Sequence, residues 1–311
     1  MVVKPNQSYL AQLLSVKDTA LGECGPRIAF ATVIAAAVTW IEHRYGVGVL
    51  DLTPLPFSLI GVAIGIFLGF RGKTAYDRFW EGRVLWGGLV NNCRSATRQI
   101  LTLLQAPPEE EAELRRVQQR AVYLLIAYAH ALRHHLRASQ PWDDLTPLVS
   151  AEDLEGFRSQ KNVPLAILHK LATGLAGARA RGWIHDLHLP AADNILSELT
   201  NIQGGCERIK NTPVPYAYGI LSHRVVAAFC LCLPLGIVDD VKGYTPLVTA
   251  FVSYAFFSLD SLGAEIEEPF GTDPHDLPLS ALCRTIEINL RQLLGETDLP
   301  EPWPVVDCIQ T

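Results

Sequence analysis

The chain has 311 residues, of which 49% are hydrophobic and only 19% are charged. Soluble domains carry about 25% charged residues, so this composition indicates a membrane protein and excludes a disordered chain. The formal net charge of −6 provides no basic surface for a phosphate backbone, so we expect no nucleic-acid partner.

Four apolar runs follow one another along the chain, and we predict membrane spans at about residues 28–44, 52–70, 216–238 and 244–260. A spanning helix needs about 20 apolar residues, and the second run contains 19 uncharged residues from Leu52 to Phe70. The first run, Ile28–Ile41, is short for a full crossing, so a buried soluble helix is an alternative there. Short links join the first run to the second and the third to the fourth, which predicts two helical hairpins.

Basic residues beside the second run indicate which side of the membrane each segment occupies. Arg71, Lys73 and Arg78 follow that run directly, and basic residues near span ends tend to stay in the cytoplasm. We therefore expect a multi-pass protein of the cell inner (plasma) membrane, with cytosolic segments at about 71–215 and 261–311 and both termini in the cytoplasm. The seven cysteines, an odd number, agree with a reducing cytosol and predict no disulfide framework.

The long segment between the second and third spans has helical periodicity. We predict helices at about Thr74–Gln105, Glu109–Arg137, Val163–Arg181 and Pro190–Lys210. The second of these begins with acidic residues and ends with basic ones, an order that suits the helix dipole. The predicted fold class is an all-α membrane protein, with four transmembrane helices in two hairpins plus a cytosolic helical bundle, in a single domain over residues 1–311.

The second span carries two adjacent periodic features. Small residues recur at every fourth position, at Gly61, Gly65 and Gly69. This G-x-x-x-G pattern favours close helix packing in lipid. The neighbouring edge carries the bulky apolar residues Val62, Ile66 and Phe70. Several copies of this helix around an axis would place those residues in three apolar rings, which can gate a pore by dewetting. Periodicity alone favours the alternative, in which they face lipid or a neighbouring helix.

Four sequence segments resemble the bacterial branch of the bestrophin family. They are Phe70–Arg83 (FRGKTAYDRFWEGR), Asn211–Tyr216, Gly263–Gly271 and Asp276–Leu279. They occur in the same order as in that family, with matching spans around them, and the resemblance covers about Arg27–Glu296.

The resemblance implies a homopentameric ion channel in which five copies of the second span line a hydrophobic neck in the lipid bilayer. The family's neck residues precede an Arg-aromatic-Trp motif by a constant distance, and Arg78 begins that motif here. Counting back by the same distance implies Val62, Ile66 and Phe70 as the neck. The bacterial branch is associated with monovalent cations such as sodium, so we expect cations, with chloride as the alternative. The resemblance implies no cofactor and no catalytic residues.

The family also has an acidic calcium site in its animal members and a second constriction at the cytosolic exit. Here the corresponding acidic segment retains two carboxylates, Asp273 and Asp276, with Pro274 between them. Calcium prefers six to eight oxygen ligands, so we expect no metal site and a calcium-independent channel. No motif places the exit constriction, although small residues such as Ala178 and Ala180 would leave it wide.

Other polar residues suggest a different class of protein. His130 and His134 have a helical spacing that could supply two zinc ligands, which would suit a membrane-anchored enzyme or sensor, but no recognisable catalytic motif accompanies them. The tripeptide Gly72-Lys73-Thr74 resembles the end of a phosphate-binding loop but lacks its first glycine. A structural scaffold without transport remains a third alternative.

Ionisable residues near the predicted span ends are a further set of candidates: His223, Arg224, Asp260 and Glu265. We expect them to snorkel to the membrane surface or to form salt bridges between helices.

Overall fold

The computed structural model describes residues 20–46, 53–306 and 310–311. Over these ranges the chain is almost entirely helical and contains no extended β-strand, which confirms the all-α fold class. The α-helices are α1 (Ala20–Tyr45), α2 (Pro54–Leu103), α3 (Glu111–Leu136), α4 (Trp142–Leu145), α5 (Ala151–Arg158), α6 (Val163–Ala180), α7 (Leu189–Asn211), α8 (Tyr216–Val241), α9 (Thr245–Glu265) and α10 (Leu279–Leu293).

The helix α2 differs most from the prediction. It runs without interruption for 50 residues, so the predicted second span and the predicted helix at Thr74–Gln105 are one element. Pro54 and Pro56 lie in its first turn, where a helix tolerates proline, and the next proline, Pro107, lies beyond its end at Leu103. The change from apolar to polar residues after Phe70 therefore marks where α2 leaves the predicted membrane span, and it does not mark the end of the helix.

The described chain divides into two compact units, and the boundary between them falls inside α2. The first, which we call the membrane unit, comprises the described residues up to Phe79 together with Pro213–Glu268. It contains α1, the first part of α2, α8 and α9, and α1 packs against both α8 and α9. Its core takes side chains from all four helices, namely Cys24, Ile64, Leu68, Val226, Phe229, Cys230, Leu233 and Phe257.

Three helical stretches are long and apolar enough to cross a membrane: Cys24–Tyr45, Pro54–Leu103 and Tyr216–Glu265. The third contains two of the four predicted spans, because α8 and α9 are separated only by a single 3-10 turn at Lys242–Tyr244. Lys242, in the turn between the two helices, has a φ of +53°, which is uncommon for a residue other than glycine. The α8 and α9 helices then pack against each other.

The second unit, which we call the bundle unit, comprises Trp80–Thr212 and Pro269–Thr311. Its central element is α3, which contacts α6, α7 and α10 and is almost completely buried from Leu124 to Leu132. The observed helices α3, α6 and α7 confirm the predicted ones in position and extent. Side-chain caps start two helices: Ser150 accepts from the N–H of Asp153, and Asn162 accepts from the N–H of Leu165.

Candidate pore-lining helix

The part of α2 in the membrane unit has one buried face and one exposed face. Ile64, Leu68, Arg71 and Ala75 are buried against the rest of the unit. Val62, Ile66 and Phe70 expose 64%, 57% and 65% of their surfaces. At 100° per residue the two sets point about 170° apart around the helix axis. The candidate neck residues therefore form a bulky apolar stripe that no other part of the described chain covers.

The glycine edge lies about 90° from the buried face, between that face and the exposed stripe. A Cβ atom on Gly61 would lie 3.1 Å from Cζ of Phe229, so this glycine allows α8 to approach α2 within the chain. A Cβ on Gly65 or Gly69 would meet no described atom within 4 Å. Among the described residues, packing within the chain explains only the first of these three glycines, and the other two leave room for a neighbouring helix.

A buried ion-pair network ties α2 to α8 and α9 where the apolar run ends. The Arg71 guanidinium donates through Nη1 to Oδ1 of Asp260 at 2.5 Å, and the two side chains are only 5% and 1% exposed. Ser222 donates to the same carboxylate oxygen at 2.5 Å, and Nδ1 of His223 pairs with the other oxygen, Oδ2. Glu267 lies 3.9 Å from the guanidinium. The Asp260 carboxylate is therefore shared by three side chains from two other helices.

This network confirms the predicted salt bridging for His223 and Asp260, whereas Arg224 is exposed. Sequence reasoning assigned Arg71 only to the basic cluster that orients the chain. A signal was nevertheless present: Arg71 falls in register with Ile64, Leu68 and Ala75, so helical periodicity places it on the buried face. A charge on the buried face of an apolar helix needs a partner, and this was the clue to look for one.

The tripeptide Gly72-Lys73-Thr74 lies inside α2 and forms no loop. Nζ of Lys73 pairs with Asp77 one turn further on at 3.0 Å, and Thr74 donates its hydroxyl to the carbonyl of Phe70 at 3.0 Å. Backbone N–H groups within a helix are already bonded and cannot wrap a phosphate. The structure therefore agrees with rejecting a nucleotide-binding loop here.

The histidines of α3 belong to a cluster of cations and carboxylates in the bundle unit. His134 Nε2 lies 2.7 Å from Oδ2 of Asp144, and Arg133 donates to the same oxygen. The hydrogen bond from His134, together with the charge of Arg133, holds the pKa of Asp144 well below its usual range. His130 lies between Asp144 and Glu287, with its ring nitrogens 3.9 Å and 3.7 Å from their carboxylate oxygens.

The described ranges contain no group of three His, Cys, Asp or Glu side chains that could hold a metal ion. In the acidic segment, Asp276 is buried and accepts from the backbone N–H of Asp273 at 2.7 Å. Burial raises the pKa of Asp276 to about 6. The Asp276 side chain therefore stabilises a turn within this acidic segment.

Comparison with known proteins agrees with this architecture. Residues 1–292 match the family described as Bacterial/Fungal Bestrophin protein. The protein RSc3414 of Ralstonia nicotianae, named a voltage-dependent anion channel-forming protein, is 38% identical over 299 residues and covers 96% of each chain. YneE of Escherichia coli, which bears the same descriptive name, is 36% identical over 300 residues and again covers 96% of each chain. A crystal structure of a bacterial bestrophin homologue from Klebsiella pneumoniae is 38% identical, with a TM-score of 0.80 over 87% of this chain and 98% of the other.

These matches support a membrane protein and point to an ion channel rather than an enzyme. The chain belongs to the bacterial and fungal bestrophin family. This confirms the resemblance found in the sequence motifs. The expected preference for cations receives no support from the relatives, whose printed names favour the anion alternative.

Proposed function

We propose that this protein is an ion channel of the cell inner membrane that conducts monovalent ions, with anions as the main permeant species. The observation that carries the proposal is the exposed apolar stripe of Val62, Ile66 and Phe70, opposite the buried face of α2. We propose that five copies of the chain surround a central axis so that these stripes form a hydrophobic neck. The proposal treats residues 1–311 as one channel domain in contact with lipid and with its own copies.

An apolar neck controls conduction through its hydration. A ring of bulky apolar side chains makes water leave a narrow pore, and an ion cannot then keep its hydration shell. Gly65 and Gly69 support the packing of copies, because their edge of α2 is open to a neighbouring helix. The uncovered stripe and the open glycine edge lie side by side, as a ring of tightly packed helices requires.

The proposed topology places both termini and the bundle unit in the cytoplasm, on the evidence of the basic residues that follow the second apolar run. Cysteine-accessibility labelling in intact cells tests this topology. A cysteine introduced at exposed Lys161 should react with an impermeant maleimide only after the cells are opened.

The ion selectivity is tested by the reversal potential of the purified protein in a planar bilayer under an asymmetric sodium chloride gradient. A reversal close to the chloride equilibrium potential is the expected result. A reversal close to the sodium potential would retain the channel and reverse the selectivity. The absence of current from a correctly assembled oligomer would contradict the channel proposal itself.

The neck is tested by Ile66→Ala, which removes apolar bulk from the middle ring. We expect a larger single-channel conductance or open probability, because a wider ring holds water more easily. Leu247→Ala is the matched control, since Leu247 is 69% exposed on α9 and lies outside α2. If Ile66→Ala conducts like the unmodified protein, the constriction is not formed by this stripe.

A further inference from the structure

The bundle unit contains a cavity of about 300 Å³ between α2, α3, α6 and α7. Its walls are mainly apolar and include Leu103, Leu124, Leu171, Leu175 and Ile195. This volume is at the lower end of the range for small-molecule sites. The cavity lies within one unit of a single chain, so it is separate from the proposed neck on α2.

Two glycines of α6 help to form the space. Gly174 and Gly177 both line the cavity, and a Cβ atom on either would meet no described atom within 4 Å. A helix interior ordinarily disfavours glycine relative to alanine. Because Gly174 and Gly177 have no side chains, the wall that α6 forms leaves room for a ligand.

Two basic side chains, Arg120 and Lys170, lie at the rim of the cavity. Arg120 and Lys170 both line the cavity and both pair with Asp153, at 2.5 Å and 2.9 Å. Two cations thus share a single carboxylate, which leaves one positive charge in excess. Arg120 and Lys170 are 54% and 42% exposed, so their remaining donors are accessible to a ligand.

We propose that this cavity binds a single-chain amphiphile with a carboxylate head, such as a medium-chain fatty acid. The apolar walls take the hydrocarbon chain, and Arg120 and Lys170 receive the carboxylate. A cationic amphiphile is repelled by the excess positive charge, and a neutral one of the same length forgoes the charge-assisted hydrogen bonds.

The proposal is tested by photolabelling the full-length protein with a decanoate that carries a diazirine, followed by peptide mass spectrometry. We expect the label on the lining segments of α2, α3 and α6, with stronger protection by excess decanoate than by decanol. Gly174→Leu, which fills the cavity, should abolish this labelling. Gly156→Leu is the matched control, since Gly156 also faces open space but does not line the cavity.

The charge on the rim is tested separately. Lys170→Gln leaves the pair of Arg120 with Asp153 intact and should weaken protection by decanoate about threefold, the effect of one exposed ion pair, without changing protection by decanol. Lys161→Gln provides an exposed lysine control outside the cavity. Labelling only in α1, α8 and α9, labelling unchanged by Gly174→Leu, or equal protection by decanol and decanoate would each overturn the proposal.

Discussion

Substitution of Asp260 by asparagine tests how strongly the buried network holds the membrane unit together. Asparagine would keep the size of the side chain and remove its negative charge. Arg71, Ser222 and His223 would then lose the carboxylate that they share. The Arg71 guanidinium would then stay buried without its 2.5 Å partner, and the Glu267 carboxylate would remain at 3.9 Å. Removal of one partner from a buried ion pair is costly because the remaining charge is left without compensation.

The expected loss is about 3–5 kcal/mol of unfolding free energy, the range for breaking a buried pair. The low exposure of both side chains, 5% for Arg71 and 1% for Asp260, places this pair in that class. An exposed pair on the same helix provides the comparison: Lys73 and Asp77 are 72% and 59% exposed, and such pairs contribute about 0.3–0.5 kcal/mol. Breaking the buried pair by Asp260→Asn should therefore cost roughly ten times more unfolding free energy than breaking the exposed pair by Asp77→Asn.

The assay is thermal unfolding of the purified full-length protein in one detergent, with Asp260→Asn compared with Asp77→Asn. We expect Asp260→Asn to lower the melting temperature by on the order of 5–10 °C and Asp77→Asn to leave it nearly unchanged. Replacing both members of the buried pair by apolar residues, in Arg71→Met with Asp260→Leu, should recover much of the loss. Equal melting temperatures for the two single variants would refute the reasoning, since burial would then not decide the strength of the pair.

Three further predictions follow from the contacts of individual residues. Gly236→Ala should lower the unfolding free energy by about 1–3 kcal/mol, because the added Cβ would overlap the ring of Phe57, and chemical denaturation measures the loss. Gly65→Leu should leave the single chain folded and reduce the pentamer on native mass spectrometry, because the glycine edge would no longer admit a neighbouring copy. Burial raises the pKa of Asp276 to about 6, so the unmodified protein should lose unfolding free energy as the pH rises from about 4 to about 6. Asp276→Asn should remove this loss, because asparagine does not titrate.

The two glycine predictions each have a control glycine on a helix of the membrane unit. Gly219→Ala on α8 should be nearly neutral, because its Cβ would meet only Nη2 of Arg71 at 3.8 Å. Gly25→Leu on α1 is the second control, because a Cβ on Gly25 would meet no described atom within 4 Å, and it should leave the oligomer intact. For Asp276, melting temperatures of both proteins across the pH range decide the outcome, and parallel curves would contradict the assigned cause. If Gly65→Leu still forms a normal pentamer, the glycine edge is not part of the contact between copies.

Local patterns were sufficient to predict the apolar helices and the helices α3, α6 and α7, and to single out one face of α2, whereas the short helices α4 and α5 and the helix α10 were not predicted individually. The spacing of Val62, Ile66 and Phe70 needs only a helix of constant periodicity, and the apolar runs need only composition. The order of the motifs was also enough to identify the family, since residues 1–292 match it. Such features depend on residues close together in the chain, which is why they can be read without coordinates.

Tertiary structure decided which residues meet. Asp260 lies 189 positions from Arg71, and no local pattern connects them. Gly61, Gly65 and Gly69 are equivalent by spacing, yet among the described residues only a Cβ on Gly61 would meet a neighbour within 4 Å, the Phe229 ring of α8. The same holds for His130, whose carboxylate neighbours come from α4 and α10. Periodicity determines the face on which a side chain lies, whereas its partner depends on how distant helices pack, and that packing is a property of the whole fold.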